Sequence, residues 1–511
     1  MGDACALVKA QSERAGVIRC PTSLRAMAVE LRLATAQGRW VLAATVLGSA
    51  LASIDATAVG IALPAIGRDF DVELSTLQWT VTAYTLTLAG LLLLGGAAGD
   101  HYGRRRVFVA GVILFAVASA LCGIAPTADV LVAARAVQGL GAALLTPGSL
   151  ALLQASFHPD DRAAAIGAWS GLGGIATALG PFLGGWLVQV ASWRLIFAIN
   201  LPLAVAVVAV SWRHVPESRT PSGTHLDLPG GALVTAGLVG LTYGVIEAPT
   251  HGWGSLPVLS SIIGGTASLL AFVTWERRHP QPLLPLAIFR DRRFSTTNLL
   301  TFVMYGALGG SLFLLPLQLQ QVLGFSPVEA GLALLPVTLV MLLLSARSGA
   351  LAARIGPRLQ MSAGPVVVAV GLLLMVRIGA TGTYLSEVLP AVVVLGLGLA
   401  ATVAPLTVTA LASAPAEHSG MASAVNNDVA RAGGLIAVAV LPSLAGLTGY
   451  SYRHPASFSH GFHVAVVVSA ALCAMAGAVA ALGLRQAREP LPSPALHCCP
   501  VDGPPATAVR S

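Results

Sequence analysis

VLAATVLGSALASIDATAVGIALP, residues 41–64, runs for twenty-four residues with one ionisable side chain, Asp55. About 20 apolar residues in a helix cross the hydrocarbon core of a bilayer, so the stretch is long enough to span. A carboxylate in the middle of such a span is expensive to bury, and residues of this kind mark function by default. If the rest of the chain repeats the pattern, the fold is a bundle of membrane helices and Asp55 is its first clue.

The pattern does repeat. The chain has 511 residues, 55% hydrophobic and 10% charged, with a mean hydropathy of +0.79. Soluble domains carry roughly 25% charged residues. Fourteen apolar runs follow one another near 40–63, 77–97, 105–125, 129–153, 163–189, 193–212, 230–248, 256–275, 296–319, 328–352, 359–379, 385–412, 419–446 and 462–484. They are continuously apolar rather than alternating, which disfavours a β-barrel. An even number of spans places both termini on one side, and 23 of the 29 Lys and Arg residues fall on that side. The positive-inside rule makes it cytoplasmic. The net charge of +7 is therefore topology, and nucleic acid is not an expected partner.

Several chemistries are excluded by residue type. The only lysine is Lys9, followed by Ala10; a phosphate-cradling loop needs Gly-Lys-Ser/Thr, so no ATP site of that kind exists. No intramembrane lysine is present for a Schiff base, and none of the eleven histidines lies in mid-span. Six cysteines (Cys5, Cys20, Cys122, Cys473, Cys498, Cys499) show neither ligand nor disulfide spacing, and the tail HCCP reads as adjacent cysteines rather than a metal site. The first 38 residues lack the short apolar core and cleavage site of a signal peptide, and Met27 is an alternative start. No Ser/His, Cys/His or paired-carboxylate arrangement suggests an enzyme. The ionisable residues left within spans are Asp55, Arg135, Asp428 and Arg431, with Glu247 and Arg377 near span ends.

Five further stretches carry chemistry. GGAAGDHYGRRRVF (95–108) joins spans two and three in a very short loop. Its glycines permit a tight turn, and Asp100 can pair with Arg104 or cap the next helix. GALAARIGPRLQ (349–360) repeats the pattern after span ten, as parallel halves of one transporter would. LVAARAVQGLGAALLTPGS (131–149) sets Arg135, Gln138, Gly139 and Ala142 on one helix face. GLGGIATALGPFLGGWL (171–187) puts Pro181 inside a span beside Gly180, Gly184 and Gly185, a flat surface next to a kink. In NNDVARAGG (426–434), Arg431 lies three residues after Asp428; such pairs meet on one helix face, so Asp428 is expected to be held ionised by Arg431.

Together these residues resemble the fourteen-helix drug:proton antiporters of the major facilitator superfamily. Asp55-x-Thr57 followed by Ala62-Leu63-Pro64 looks like the first-span motif of that branch. Gly96 through Arg105 resembles the loop signature between spans two and three, Leu131 to Ala143 the fourth-span arginine motif, and Gly180-Pro181-x-x-Gly184-Gly185 the fifth-span antiporter motif. WRLIFAINLP (193–202) is also similar. The likeness covers about residues 40 to 484. Gly60 departs from the usual Asn, His101 from Arg, Ala176 from Gly, and Ala353 from an acid in the second loop copy.

The resemblance implies an all-α polytopic membrane protein with the major facilitator fold: two six-helix bundles plus two inserted helices. The expected parts are a cytoplasmic tail (1–38), an N-terminal bundle (39–213), linkers with two extra helices (214–293), a C-terminal bundle (294–484) and a cytoplasmic tail (485–511). It implies a monomeric permease of the cell membrane that exports hydrophobic or amphipathic compounds in exchange for protons, without a cofactor. Asp55 and Arg135 would couple the proton. Gly96, Asp100, Gly103, Arg104, Gly180, Pro181, Gly184 and Gly185 would serve gating, and Thr57, Gln138, Asn427, Asp428 and Arg431 would line the substrate cavity. The alternatives are a major facilitator importer of another small solute and a non-transporting receptor; the latter would need a soluble module longer than the linkers at 214–231 and 276–293 provide.

Overall fold

A chain in hydrocarbon has no water to bond its amides, so each apolar run must satisfy its own backbone as a helix. The computed structural model describes residues 31–219, 226–280, 282–413 and 419–484. Met27, the HCCP sequence and part of the linker at 214–231 lie outside the described residues. Fourteen helices are long and apolar enough to span, and every expected run falls on one of them.

The first six are α1 (Ala36–Asp69), α2 (Leu74–Tyr102), α3 (Arg104–Gly123), α4 (Ala128–Ser156), α5 (Pro159–Val190) and α6 (Leu195–His214). Next come α7 (Leu228–His251) and α8 (Leu256–Arg278). The last six are α9 (Arg292–Gln321), α10 (Pro327–Ile355), α11 (Pro357–Arg377), α12 (Tyr384–Ala412), α13 (Ser419–Leu444) and α14 (Pro455–Gly483). Among the described residues there is no strand, only an isolated bridge between Leu31 and Phe157. The chain enters α1 and leaves α14 at one end, here the near end; the opposite end is the far end.

Helices α1–α6 pack together and α9–α14 pack together, while α7 and α8 pair with each other. Through α7 the inserted pair touches α2 of the first half and α13 of the second. Small residues allow the closest crossings. A Cβ on Gly141 of α4 would strike the backbone of Phe115 on α3, and one on Gly398 of α12 would strike Val368 on α11.

The near end holds three features the sequence reading did not place. Residues just before α1 are tied down: Leu31 N donates to Ser156 O (2.8 Å), and Arg32 pairs with Asp160 (3.1 Å). The linker acid Glu217 accepts from the backbone of Arg105 (3.0 Å) and faces the guanidiniums of Arg105 and Arg106, 3.7 Å from each. Two further acids, Asp227 and Glu276, are almost wholly buried and flank Gly230 together. Asp227 caps α7 through Gly230 N (2.9 Å) and accepts the Trp275 indole (2.9 Å), while Glu276 accepts from Leu284 N (2.9 Å). They knot the start of α7, the end of α8 and the second linker.

Candidate functional site

Asp55 lies midway along α1 with no exposed surface, and five of the six helices of the first half converge on it. Arg135 of α4 donates Nη1–H to Asp55 Oδ2 (2.5 Å). Gln138, one turn further along α4, donates Nε2–H to Oδ1 (2.8 Å). Asn200 of α6 donates Nδ2–H to the same Oδ1 (3.1 Å). From α3, Ser119 accepts from Asn200 (2.9 Å) and from Gln138 (3.3 Å). From α2, Thr80 O accepts from Arg135 Nε (3.1 Å), and the Tyr84 ring lies 4.3 Å below the guanidinium carbon.

Removing two charges from water is costly unless remaining donors and acceptors are also met, and this cluster meets them densely. Arg135 also donates to Gln138 Oε1 (2.7 Å), which takes the Cys122 thiol as well (3.7 Å). The helical spacing of Arg135 and Gln138 therefore works as read from the sequence, and Gly139 on the same face lets α2 approach until a Cβ would meet Thr87 and Tyr84. Gln138, expected in a substrate cavity, sits instead inside the Asp55 cluster with no exposed surface. Asn200, Ser119 and Thr80 were not singled out. An Asn within the apolar WRLIFAINLP run was the one available signal; Ser119 and a backbone carbonyl carry none.

The short loop between α2 and α3 is built as its residues suggest. Asp100 and Arg104 pair (2.7 Å), and Gly103 turns at φ +109. The second copy places Gly356 at φ +84 at the same step between α10 and α11. With Ala353 in place of an acid, the copy has no equivalent of Asp100, and Arg358 donates to Ala481 O of α14 (2.7 Å). Gly96 faces Pro147 of α4.

The α5 glycines do not form one surface. A Cβ on Gly180 would strike Thr57 of α1, and one on Gly184 would meet Ala58, so both pack inside the first half. Gly185 instead lies against the backbone of Pro327 on α10, and Gly331 of α10 lies against the Pro181 carbonyl. The motif thus serves both contacts of α5: one inside its own half, one across to the other.

The residues expected at the substrate cavity separate. The Thr57 hydroxyl is turned to the Ser53 carbonyl of its own helix (2.9 Å), beside α5. Asn427 is exposed and bonds Ser423 O (3.0 Å). Its neighbour Asn426 is the buried one, donating to Asn298 (3.1 Å) and Thr301 (2.8 Å) of α9. Asp428 and Arg431 do not form the expected ion pair. Asp428 Oδ1 is buried without a hydrogen-bond partner, and the charge of Arg431 acts on it, and on Tyr84 of α2, without a direct contact. Spacing of i,i+3 brings Cβ atoms together, but a short carboxylate meets an arginine only if both side chains turn inward. Of the ionisable residues near span ends, Glu247 accepts the Trp79 indole (2.8 Å) and Arg377 is exposed. Among the described residues no three His, Cys, Asp or Glu side chains gather as a metal site requires.

Residues 45–439 match the model of the Major Facilitator Superfamily. The chain belongs to that superfamily. It is 37% identical over 404 residues to the multidrug resistance protein Stp of Mycobacterium tuberculosis (strain CDC 1551 / Oshkosh), covering 79% of this chain and 75% of that one. It is 36% identical to the tetracenomycin C resistance and export protein of Streptomyces glaucescens, covering 78% and 74%. In structure it resembles a bacterial homologue of the human lysosomal transporter Spinster, solved inward-facing and unoccupied, with a TM-score of 0.61, 16% identity, and 88% and 97% coverage. That likeness speaks for the fold alone. The family and these relatives are transporters, and fourteen apolar helices make the chain a multi-pass membrane protein.

In this major facilitator protein the hydrogen bonds joining the two halves gather at the far end. Gln320 of α9 donates to Ile61 O (2.9 Å), and Gln78 of α2 donates to Val438 O (2.7 Å). Leu74 N donates to Gly449 O (2.9 Å). The α13–α14 connection reaches furthest. Arg453 pairs with Asp71 (2.6 Å) and donates to Gly67 O (3.0 Å), while the Tyr452 hydroxyl donates to Val72 O (2.7 Å). Burial, which outweighs the opposing pull of Arg453, raises the Tyr452 phenol above its ordinary range, so it stays a proton donor. Toward the near end, a Cβ at Gly167, Gly171, Gly173 or Gly174 of α5 would meet nothing.

Proposed function

We propose that the protein is a proton-coupled antiporter that exports hydrophobic or amphipathic compounds, such as antibiotics or secreted metabolites, across the cell membrane by alternating access. The observation that carries the reading is Asp55: a carboxylate buried in mid-span, bonded to helices that must move if the bundle rearranges. A neutral residue there could not exchange a proton for a drug. The names of the relatives, resistance and export proteins, favour this direction of transport.

Orientation follows from charge. With the basic near end in the cytoplasm, both termini are cytoplasmic and the closed far end faces outward, so the conformation described here opens inward. A substrate would enter from the cytoplasm or inner leaflet. Proton binding at Asp55 from outside, after far-end opening, and release inside would drive the cycle.

Inverted membrane vesicles test this. Dye should accumulate inside them on ATP addition only when a proton pump converts ATP into a gradient. Uptake that survives an uncoupler would sink the proposal.

A further inference from the structure

We propose that Asn200 passes the protonation state of Asp55 to α6: its side-chain NH2 donates to the ionised carboxylate, and after the amide turns over its carbonyl accepts the proton gained by Asp55 Oδ1. This rests on the reading of Asp55 as the proton carrier and adds a positioning residue to it.

The geometry selects Asn200 by elimination among the partners of Asp55. Oδ2 is gripped by Arg135 at 2.5 Å, where a proton would have to displace a guanidinium hydrogen. Oδ1 therefore takes the proton. Two amides touch Oδ1, Gln138 at 2.8 Å and Asn200 at 3.1 Å. Gln138 cannot turn over without losing its carbonyl bond from Arg135 (2.7 Å). Asn200 can, because its carbonyl Oδ1 is buried and has no partner.

An unpartnered buried carbonyl is costly, and here the cost belongs to one protonation state. Ser119 donates its hydroxyl to Phe197 O (2.9 Å), so its oxygen only accepts, from Asn200 and Gln138. While Asp55 is ionised, a turned amide would set its carbonyl against two acceptor oxygens. Once Oδ1 carries a proton, the turned carbonyl accepts it, Ser119 can swing its hydroxyl from Phe197 O to the same carbonyl, and the NH2 takes the unpartnered position. The proton binds Asp55 Oδ1 and returns to water when it leaves; no other covalent bond changes. The other charged or titratable groups facing this cluster are Arg135 of α4, Tyr84 of α2 and Cys122 of α3, with Arg431 of α13 acting on Tyr84. None of them hydrogen-bonds Oδ1: Arg135 holds Oδ2, while Tyr84 and Cys122 meet Arg135 and Gln138 rather than the carboxylate.

Infrared difference spectra of the full-length protein in lipid vesicles, taken between acid and alkaline buffer without substrate, test this. The Asp55 carboxyl band is the one missing in Asp55→Asn. In Asn200→Ala that band should move to higher wavenumber, its O–H having lost an acceptor. Asn200→Ser, able to donate and accept, should restore the band toward the wild-type position. Asn200→Leu, close in volume, gives the same reading if the alanine variant does not fold. A band in Asn200→Ala unchanged in position overturns the role of Asn200 and leaves antiport standing. A wild-type spectrum without any Asp55 band removes the proton-carrier reading, and this inference with it.

Discussion

The two halves of the molecule bury polar groups in opposite ways. In the first half, Asp55 and Arg135 form an ion pair with amide, hydroxyl and aromatic support from five helices. In the second half the comparable buried contact is neutral, Asn426 with Asn298 and Thr301, and the acid two residues on, Asp428, has an oxygen with no partner. A charge pair so fully bonded holds one geometry until something neutralises it. A buried carboxylate oxygen without a partner is one that a cationic ligand could satisfy. On the proposed function the contrast would divide the labour, the first half taking the coupling ion and the second the substrate.

The widest test of that division exchanges each acid for its amide. Asp55→Asn should abolish proton-coupled export, a loss of at least ~100-fold by the cost of breaking a buried ion pair. Asp428→Asn should keep most export of neutral compounds and lose export of cationic ones several-fold. The sequence spacing suggests that Asp428 is spared because Arg431 holds it; in the structure no ion pair joins the two, and Asp428 Oδ1 is buried without a hydrogen-bond partner, so a cationic compound would be the partner it lacks. Drug-induced proton release and dye export measured in both variants decide between the halves. Equal loss for neutral and cationic dyes in Asp428→Asn would erase the comparison.

Arg135→Lys sharpens the same point within the first half. Guanidinium serves Thr80 O, Asp55 and Gln138 from a fixed fork and lies over the Tyr84 ring. Lysine offers a point charge that loses its proton when desolvated. Export should fall by ~10-fold or more at equal expression, given the ~3–5 kcal/mol at stake in a broken buried pair. Unchanged resistance would remove Arg135 from the coupling site.

What could be read in advance follows from which forces are local. All fourteen spans, the Asp100–Arg104 pair and the glycine turns at Gly103 and Gly356 depend on hydropathy and on neighbours within a turn, and these appear in the chain itself. The Arg135–Gln138 face was legible for the same reason. Asn200, Ser119 and the buried Asp227–Glu276 pair depend on which helices meet, and residue type alone does not say that. Asp428 and Arg431 do not meet as an ion pair although three residues apart, because helical spacing fixes where the Cβ atoms lie and not which way the side chains turn. Arg453 drew no notice, as a loop arginine has no periodicity to mark it.

The glycines of α5 separate a contact within the first half from one between halves. Gly180→Val would drive a methyl into Thr57 and the Ile54 carbonyl beside the Asp55 segment, so it should lower the amount of folded protein. Gly185→Val meets the Pro327 carbonyl of the second half, where backbone cannot yield except by separation. That variant should reach the membrane at ordinary levels and populate a far-end-open state. Export should fall several-fold in both, with different causes visible in expression and in labelling of far-end cysteines. If both variants fail to accumulate, the motif is a folding element throughout.

The smallest effects belong to the far-end clasp, where the second half reaches into the first. The Arg453–Asp71 pair is short, but the Asp71 side chain is 78% exposed, and exposed pairs contribute at most ~1 kcal/mol. Tyr452 is the opposite case, with no exposed surface and a hydroxyl bonded to Val72 O. Losing such a bond leaves a carbonyl unsatisfied and costs on the order of 1–3 kcal/mol. Tyr452→Phe should therefore open the far end more than Arg453→Ala does, although the arginine makes more contacts. Spin labels at Ser192→Cys and Thr448→Cys, with the tail cysteines replaced, would report the distance across that end. Added salt should weaken the wild-type clasp slightly and the Arg453→Ala clasp not at all. A larger opening in Arg453→Ala than in Tyr452→Phe would mean that the exposed ion pair, rather than the buried hydroxyl, closes the halves at this end.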